Sequence, residues 1–598
     1  MNRIVRTTMA LALVAAFGAA TAHAAPAADV QARVKALNEL LAEQWEYQLK
    51  ESPEFATILG DYRYNDKFSD FSIAHAQKQK KDAQAFIARF EAIDTTGFDE
   101  QDRLNQQLMV RQLKDGIRSV DLKLIEMPVD QFNGVHLLLA QFVTALPFDS
   151  TKHYEDYVAR LNQVPRVIDQ LIAVLEQGEK DKLMPPRFLL EKVVTQCQSI
   201  AEPAGEASVF GKPVAKFADG IPEADRKRLH DAVIAAVDGK VRPAYKKLSD
   251  FIAKDYAPKG RTEPGLWALP NGDALYRYDV ENQTTTNKSP EEIHQIGLAE
   301  VARIEAEQTK VAVQLGYKDL PTMRAALDKD PKTHATSRQQ IVDLYKKYID
   351  QMQPKLPELF GLLPKTKVEV LPVEEFREKE ASGAQYNQGT PDGKRPGRVY
   401  VNTYDFANRT ITNIETTAYH EGVPGHHMQI SIAQTLPGLP PFRQQAGYNA
   451  YAEGWALYSE RLGKEVGFFQ DPLSYYGHLS DELLRANRLV LDTGVHYKHW
   501  TRQQMVDYFH AHSSQDEPSI QSETDRYIAY PGQALSYKMG QLKILELRER
   551  AKTQLGDKFD IRAFHDEILN GGALPLDVLE ARTDAWIVAT KAKQVAVK

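Results

Sequence analysis

Three histidines and a glutamate fall within eight residues of "YHEGVPGHHMQ", positions 419 to 429. Imidazoles and carboxylates are ligands of a zinc-class ion, and a glutamate beside a liganding histidine can take a proton from water at that ion. Helix geometry sets the difficulty. At about 100° and 1.5 Å per residue, His426 would lie about 240° round an unbroken helix from His420. His427 would return to the face of His420 but about 10.5 Å along the axis. Ligand nitrogens stand about 2.0–2.1 Å from zinc, so neither histidine joins His420 on a regular helix. Pro424 supplies the distortion: it cannot donate to the carbonyl of His420, and Gly422 and Gly425 admit unusual backbone angles on either side. The expectation is that "GVPG" bulges by two residues and brings His426 to the place of the second histidine of an HExxH helix, with His427 as the alternative. Glu421 is then the general base.

Two histidines need a third protein ligand. "YNAYAEGWALYSERLGKEVG" reads as a helix holding Glu453 among Ala452, Gly454, Trp455, Ala456 and Leu457, with Glu460 further along. A carboxylate in so apolar a stretch needs a counter-charge, which a metal supplies. One zinc ion is the expected cofactor, although manganese or cobalt suits the same ligands.

The elements that must position these groups are mostly helices. "VQARVKALNELLAEQWEYQLKE" places Val34, Leu37, Leu40, Leu41 and Trp45 on one stripe. Ser52 can cap a helix that Pro53 opens, and Ser289 can cap a long helix from "SPEEIHQ". Pro165 divides "HYEDYVARLNQVPRVIDQLIAVLEQGEK" into two helices. Strand patterns are few: "KVEVLPV" and "GRVYVNTYD" shortly before the histidines, and a weaker "ALYRYDV" near 274. The expected fold is mainly α with a small β-sheet beside the active-site helix. A stretch from about 255 to 290, rich in Pro, Gly, Asn and Thr, would separate an N-terminal helical lobe, 25–285, from a C-terminal helical lobe with the histidines, 286–598. The alternative is one continuous domain.

Residues 1–24 read as a secretory signal peptide. Two arginines precede an apolar run from about Met9 to Ala20, and Ala22-His23-Ala24 forms a cleavage site. No cysteine stands at that point to carry a lipid. The expected location is periplasmic or secreted, with no membrane span, since the apolar run is short for one. Cys197 is the single cysteine of the 598 residues, so no intramolecular disulfide forms and stability rests on core burial. "VVTQCQSIAE" reads as a helix with Cys197 on its packed face. Hydrophobic residues make up 43% of the chain, the net charge is -7, and no long basic run marks a nucleic-acid partner.

The ordered set "ESPEFATILG", "RPGRVYVNTYD", "YHEGVPGHHMQ", "YAEGWALYSERLG", "LDTGVHYKHW" and "DRYIAYPGQALSYKMG" resembles the bacterial family called domain of unknown function 885. His-Glu, a bulge, Gly-His and a later E-x6-E also resemble the all-helical glutamate-zincins, the carboxypeptidase Taq and thimet oligopeptidase families. The resemblance implies a zinc metallopeptidase of helical metallopeptidase-like fold acting on peptides, with His420, His426 and Glu453 as ligands and Glu421 as base. "YIAYPGQALSYKMG" resembles the tyrosine-bearing segment of carboxypeptidase Taq, which makes Tyr530 and Tyr537 either oxyanion donors or buried structural tyrosines. The strand "GRVYVNTYD" would be an exposed edge that pairs with extended substrate. Arg526 either binds a substrate carboxylate or pairs with Asp525 or Glu523. His496 either supports a metal ligand or the transition state, or is a core histidine, with function favoured. Two other functions compete: a secreted helical binding or scaffold protein with a structural zinc, whose fourth ligand would be His427, and a zinc hydrolase of non-peptide amides or esters.

Overall fold

The computed structural model describes residues 27–595, except 375–377, 379–380, 391–392 and 394. The expected leader at residues 1–24 lies outside the described residues. The chain is mainly α, with one small sheet. Local chemistry explains many boundaries. Ser289 and Glu292 form a reciprocal capping box at the start of the helix Pro290–Gln314. Pro165 sits in the first turn of Val164–Lys180, directly after Thr151–Leu161. Pro53 opens Pro53–Ile58, but the Ser52 side chain makes no capping bond. Cys197 is buried in Arg187–Ala201, where burial pushes its thiol up to about 12.

The stretch near 274 is helical, not a strand: it lies within Gly272–Thr284. Gly272, Tyr276, Val280 and Thr284 are buried at four-residue steps, a helical period that the aromatic and β-branched composition conceals.

Strands β1 (Val368–Pro372), β2 (Ala384–Asn387) and β3 (Gly397–Val401) form a sheet of order β1-β3-β2. β3 runs parallel to β1 and antiparallel to β2. "GRVYV" is therefore the central strand rather than an exposed edge, with Gly397, Val399 and Val401 buried. Its backbone groups are engaged on both sides, and β1 and β2 are the edges instead. β2 is short and polar, "AQYN", which gave no strand pattern.

Leu37, Leu40 and Leu41 of Ala27–Glu51 share one apolar core with Leu104 and Leu108 of Glu100–Asp121, the sheet, and the helices around the histidines. Residues between Val129 and Ala257 build a second core. No described helix is long and apolar enough to cross a membrane.

The helices Asn449–Glu465 and Ser536–Leu555 touch through glycine. A Cβ on Gly454 would stand 2.4 Å from Gly540 Cα, and one on Gly540 would stand 1.8 Å from the Ala450 carbonyl oxygen. Only glycine admits so close a crossing. It locks the helix bearing Glu453 onto the helix bearing Tyr537.

Candidate metal centre

The first histidine helix, Ile414–Glu421, stops after Glu421, and a second, His426–Thr435, starts at His426. "GVPG" is thus a full break between two helices, where a bulge inside one helix was expected. The Val423–Pro424 peptide is cis. The turn is held from two sides: Gly425 N–H donates to the Tyr419 carbonyl at 3.0 Å, and the Trp455 indole N–H donates to the Pro424 carbonyl at 2.8 Å. A Cβ on Gly425 would fall 1.9 Å from the His420 carbonyl oxygen, so this tight return requires glycine.

The break sets the His420 and His426 rings at right angles with centroids 4.8 Å apart. Glu453 reaches both: its Oε2 lies 3.5 Å from His420 Nε2 and 3.4 Å from His426 Nε2. Ligand atoms of the three residues all lie within 4.8 Å of one another. Ligands about 2.0–2.1 Å from a tetrahedral zinc stand about 3.3–3.4 Å apart, whereas a direct charge-assisted hydrogen bond would be about 2.7–2.9 Å. The observed spacing suits an ion between the three groups. Glu453 keeps 21% of its side-chain surface accessible, so the cluster opens to solvent on one side.

Glu460 supports the cluster from behind. Fully buried two turns after Glu453, it accepts from His420 Nδ1 at 2.8 Å and from the Thr416 hydroxyl at 2.9 Å. His478 and Arg485 lie 3.6 and 3.8 Å away. Burial disfavours charge on Glu460, but the His420 bond, then His478 and Arg485, hold its carboxyl well below the usual range. Burial likewise opposes an imidazolium at His420, yet Glu453 and Glu460 lift it to about 10. Burial works against the Glu453 carboxylate too, and His426 and His420 keep it far below its ordinary value. The two carboxylates thus favour positive charge at the imidazoles between them, and a cation bound there would have to displace the ring protons.

Glu421 follows His420 and is part-exposed. Near it, burial and then the Glu421 charge push the Tyr345 phenol up.

His427 does not join the cluster. One position round the new helix, it turns toward β2: its Nε2 donates to the Thr366 carbonyl at 3.1 Å, and its Nδ1 faces the Tyr386 hydroxyl at 3.1 Å. Burial, partly offset by the Thr366 carbonyl, lowers it to about 4. His496 is likewise a core residue, against the functional role favoured for it. Leu266 N–H donates to its Nδ1 at 3.1 Å and its Nε2 donates to the Tyr527 carbonyl at 2.9 Å. Burial brings it down to about 3.

Arg526 donates to Gln533 at 2.9 Å, pairs with Glu523 at 3.3 Å, and lies over the Phe132 ring. Asp525 pairs instead with Lys192 and Arg502. The two tyrosines separate. Tyr530 sits against Phe132, ring centroids 6.3 Å apart. Tyr537 has the Arg488 guanidinium 4.6 Å from its ring centre and lies close enough to act on the charge of Arg485.

Glu460, Arg485 and Arg488 are the polar residues that sequence reading left without a role. The seven-residue step from Glu453 to Glu460, two helical turns, was the available signal for the first.

Residues 53–582 match the family described as "Bacterial protein of unknown function (DUF885)". The crystal structure described as that of "the putative lipoprotein from Colwellia psychrerythraea" is 30% identical, with a TM-score of 0.87 over 93% of this chain and 99% of that one. A second structure, of "a putative lipoprotein of unknown function from Shewanella oneidensis", shares the fold at 18% identity, with a TM-score of 0.72 over 91% of this chain and 99% of that one. No curated protein matches. By the extent of the family match and the Colwellia likeness, the chain belongs to the DUF885 family.

Proposed function

We propose that this protein is a secreted or periplasmic metal-dependent peptidase. The observation that carries the reading is the meeting of His420, His426 and Glu453, with Glu453 Oε2 at tetrahedral-edge spacing from both imidazoles and Glu421 next to His420 in the chain. A zinc-class ion bound there would supply a Lewis acid that acidifies water and polarises a carbonyl. Glu421 would accept the proton from the attacking water and return it to the leaving amine. Tyr537 would donate to the oxygen that gains charge, with Tyr530 the alternative donor. Glu460 would orient His420 through Nδ1.

A catalytic rather than structural ion is favoured because, among the described residues, no fourth ligand stands at the cluster; His427 is committed elsewhere. Edge strand β2, packed near the 414–421 helix, favours peptides over other amides and esters. The leader pattern, and the lipoprotein descriptions of both similar structures, support export.

Metal analysis of the purified protein, with mass-spectrometric comparison of mixed-peptide digests by wild type and Glu421→Gln, tests the reading. Stoichiometric metal and cleavage lost in the variant are expected. A wild type that takes up no metal, or matching digests, would overturn it.

A further inference from the structure

Five aromatic residues, Trp45, Phe55, Tyr278, Phe442 and Tyr448, help to line a cavity of about 440 Å³. Its walls come from the helices Ala27–Glu51, Pro53–Ile58, Glu100–Asp121 and Gly272–Thr284 and from the segment that enters Asn449–Glu465. That volume suits a small ligand or a long side chain. Two arginines in the wall are already matched. Arg111 donates to both carboxylate oxygens of Asp577 at 2.8 Å, and Arg118 donates to Glu281 at 2.8 and 2.9 Å. Arg443 lies outside the lining and donates to Asn105 and the Gly571 carbonyl. Asp115 is left over. Its carboxylate accepts no hydrogen bond among the described residues, and the Arg118 guanidinium stands 3.7 Å away. Burial pushes the Asp115 carboxyl up, against the pull of both arginines. Gly116 is next to it in the cavity wall, inside a helix, where glycine is disfavoured. A Cβ there would meet nothing within 4 Å, so packing does not demand the glycine. What it preserves is open space.

We propose that this cavity takes a basic side chain of the peptide substrate, with its charged end on Asp115 and its alkyl stem among the aromatic rings. The inference rests on the peptidase reading above. A cation is drawn both to a carboxylate without a partner and to aromatic faces. Helix register sets the cavity toward the open side of the metal cluster. In the first two turns of Asn449–Glu465 the part-exposed residues are Asn449, Ala452 and Glu453, a strip about 100° wide. Tyr448 carries that strip into the cavity wall. Tyr448 and Glu453 are about 7.5 Å apart along the helix axis. An extended peptide gains about 3.3–3.6 Å per residue, so the basic side chain belongs about two or three residues from the bond cut.

The test offers the full-length, zinc-loaded protein hexapeptide pools that differ at one position, which is arginine or its uncharged isostere citrulline. The expected kcat/KM is at least about tenfold higher for arginine at a position two or three residues from the bond cut. The ratio should fall to about one in Asp115→Asn, which removes the charge, and in Gly116→Phe, which fills the cavity. Equal turnover of arginine and citrulline pools by wild type overturns the inference and leaves the peptidase reading intact. So does a preference that survives in either variant when that variant melts like wild type. If no pool is cut, the peptidase reading falls. Native mass spectrometry of the same pools on wild type and Asp115→Asn then decides the cavity alone: a preference for arginine that the variant loses supports it, and equal binding overturns it.

Discussion

Glu460 grips His420 by Nδ1 at 2.8 Å, leaving Nε2 of the same ring to face Glu453. That contact fixes the tautomer and the plane of the ring, as outer carboxylates do for metal-binding histidines. Glu460→Gln keeps the shape and removes the charge. Zinc affinity should fall about 10–100-fold, measured by competition with a chromogenic chelator. Unchanged affinity would show that Glu460 serves packing alone.

Metal and fold should be linked. An ion that binds the folded chain raises the melting temperature in proportion to the logarithm of its concentration over its dissociation constant. Zinc added to the stripped wild type should raise the melting temperature, and the rise should vanish in His426→Ala and Glu453→Gln. Differential scanning fluorimetry reads this without any substrate.

Tyr537 and Tyr530 should part company. The first lies beside Arg488 and Arg485, the second beside Phe132. Removal of an oxyanion donor typically costs about 10²–10³ in kcat. Tyr537→Phe should approach that loss, while Tyr530→Phe stays within about threefold of wild type, by steady-state kinetics on a peptide the wild type cuts.

The helix crossing at Gly454 and Gly540 leaves no space for a methyl group. Gly454→Ala should cost at least about 1–3 kcal/mol by urea denaturation, since the neighbour it meets is backbone and cannot rotate away. Wild-type stability in that variant would mean that the helices can separate cheaply.

Acid should destabilise the fold through buried histidines outside the cluster. His496 and His565 are lowered to about 3 by burial, and both keep their ring nitrogens on internal partners. The unfolded chain binds protons there from about pH 6.5 downward, while the folded chain does not until near pH 3. Stability is therefore full above about pH 6.5 and lost as the pH falls toward 3, by up to about 1.4 kcal/mol per unit for each group. His496→Gln should flatten the slope between pH 6.5 and 4 in urea titrations.

What sequence could disclose followed from how local each signal was. His420 and His426 stand close along the chain, with a proline and two glycines between them, so a break there was legible. Its form was not: two helices with a cis peptide and a bulged single helix carry the same residues. Glu453 drew notice as a carboxylate in an apolar stretch. Arg485 lies in "ELLRANRLVLD", where a charged face buried by packing looks the same as one facing water. His496 shows the converse. A histidine in a motif suggested chemistry, yet its two backbone partners come from residues 266 and 527, which no local pattern links to it. Strand order failed for the same reason, because the pairing of β3 with both neighbours is a long-range choice.

The Trp455 indole is fastened to the Pro424 carbonyl, and Trp455 stands two residues from Glu453. The turn that separates the histidines and the helix that supplies the carboxylate are thereby hitched together before any ion arrives. The freedom of these three side chains is surrendered when the chain folds, and cation capture needs little further ordering. An ion bound at this cluster, as proposed, should arrive and leave without rearrangement of the backbone.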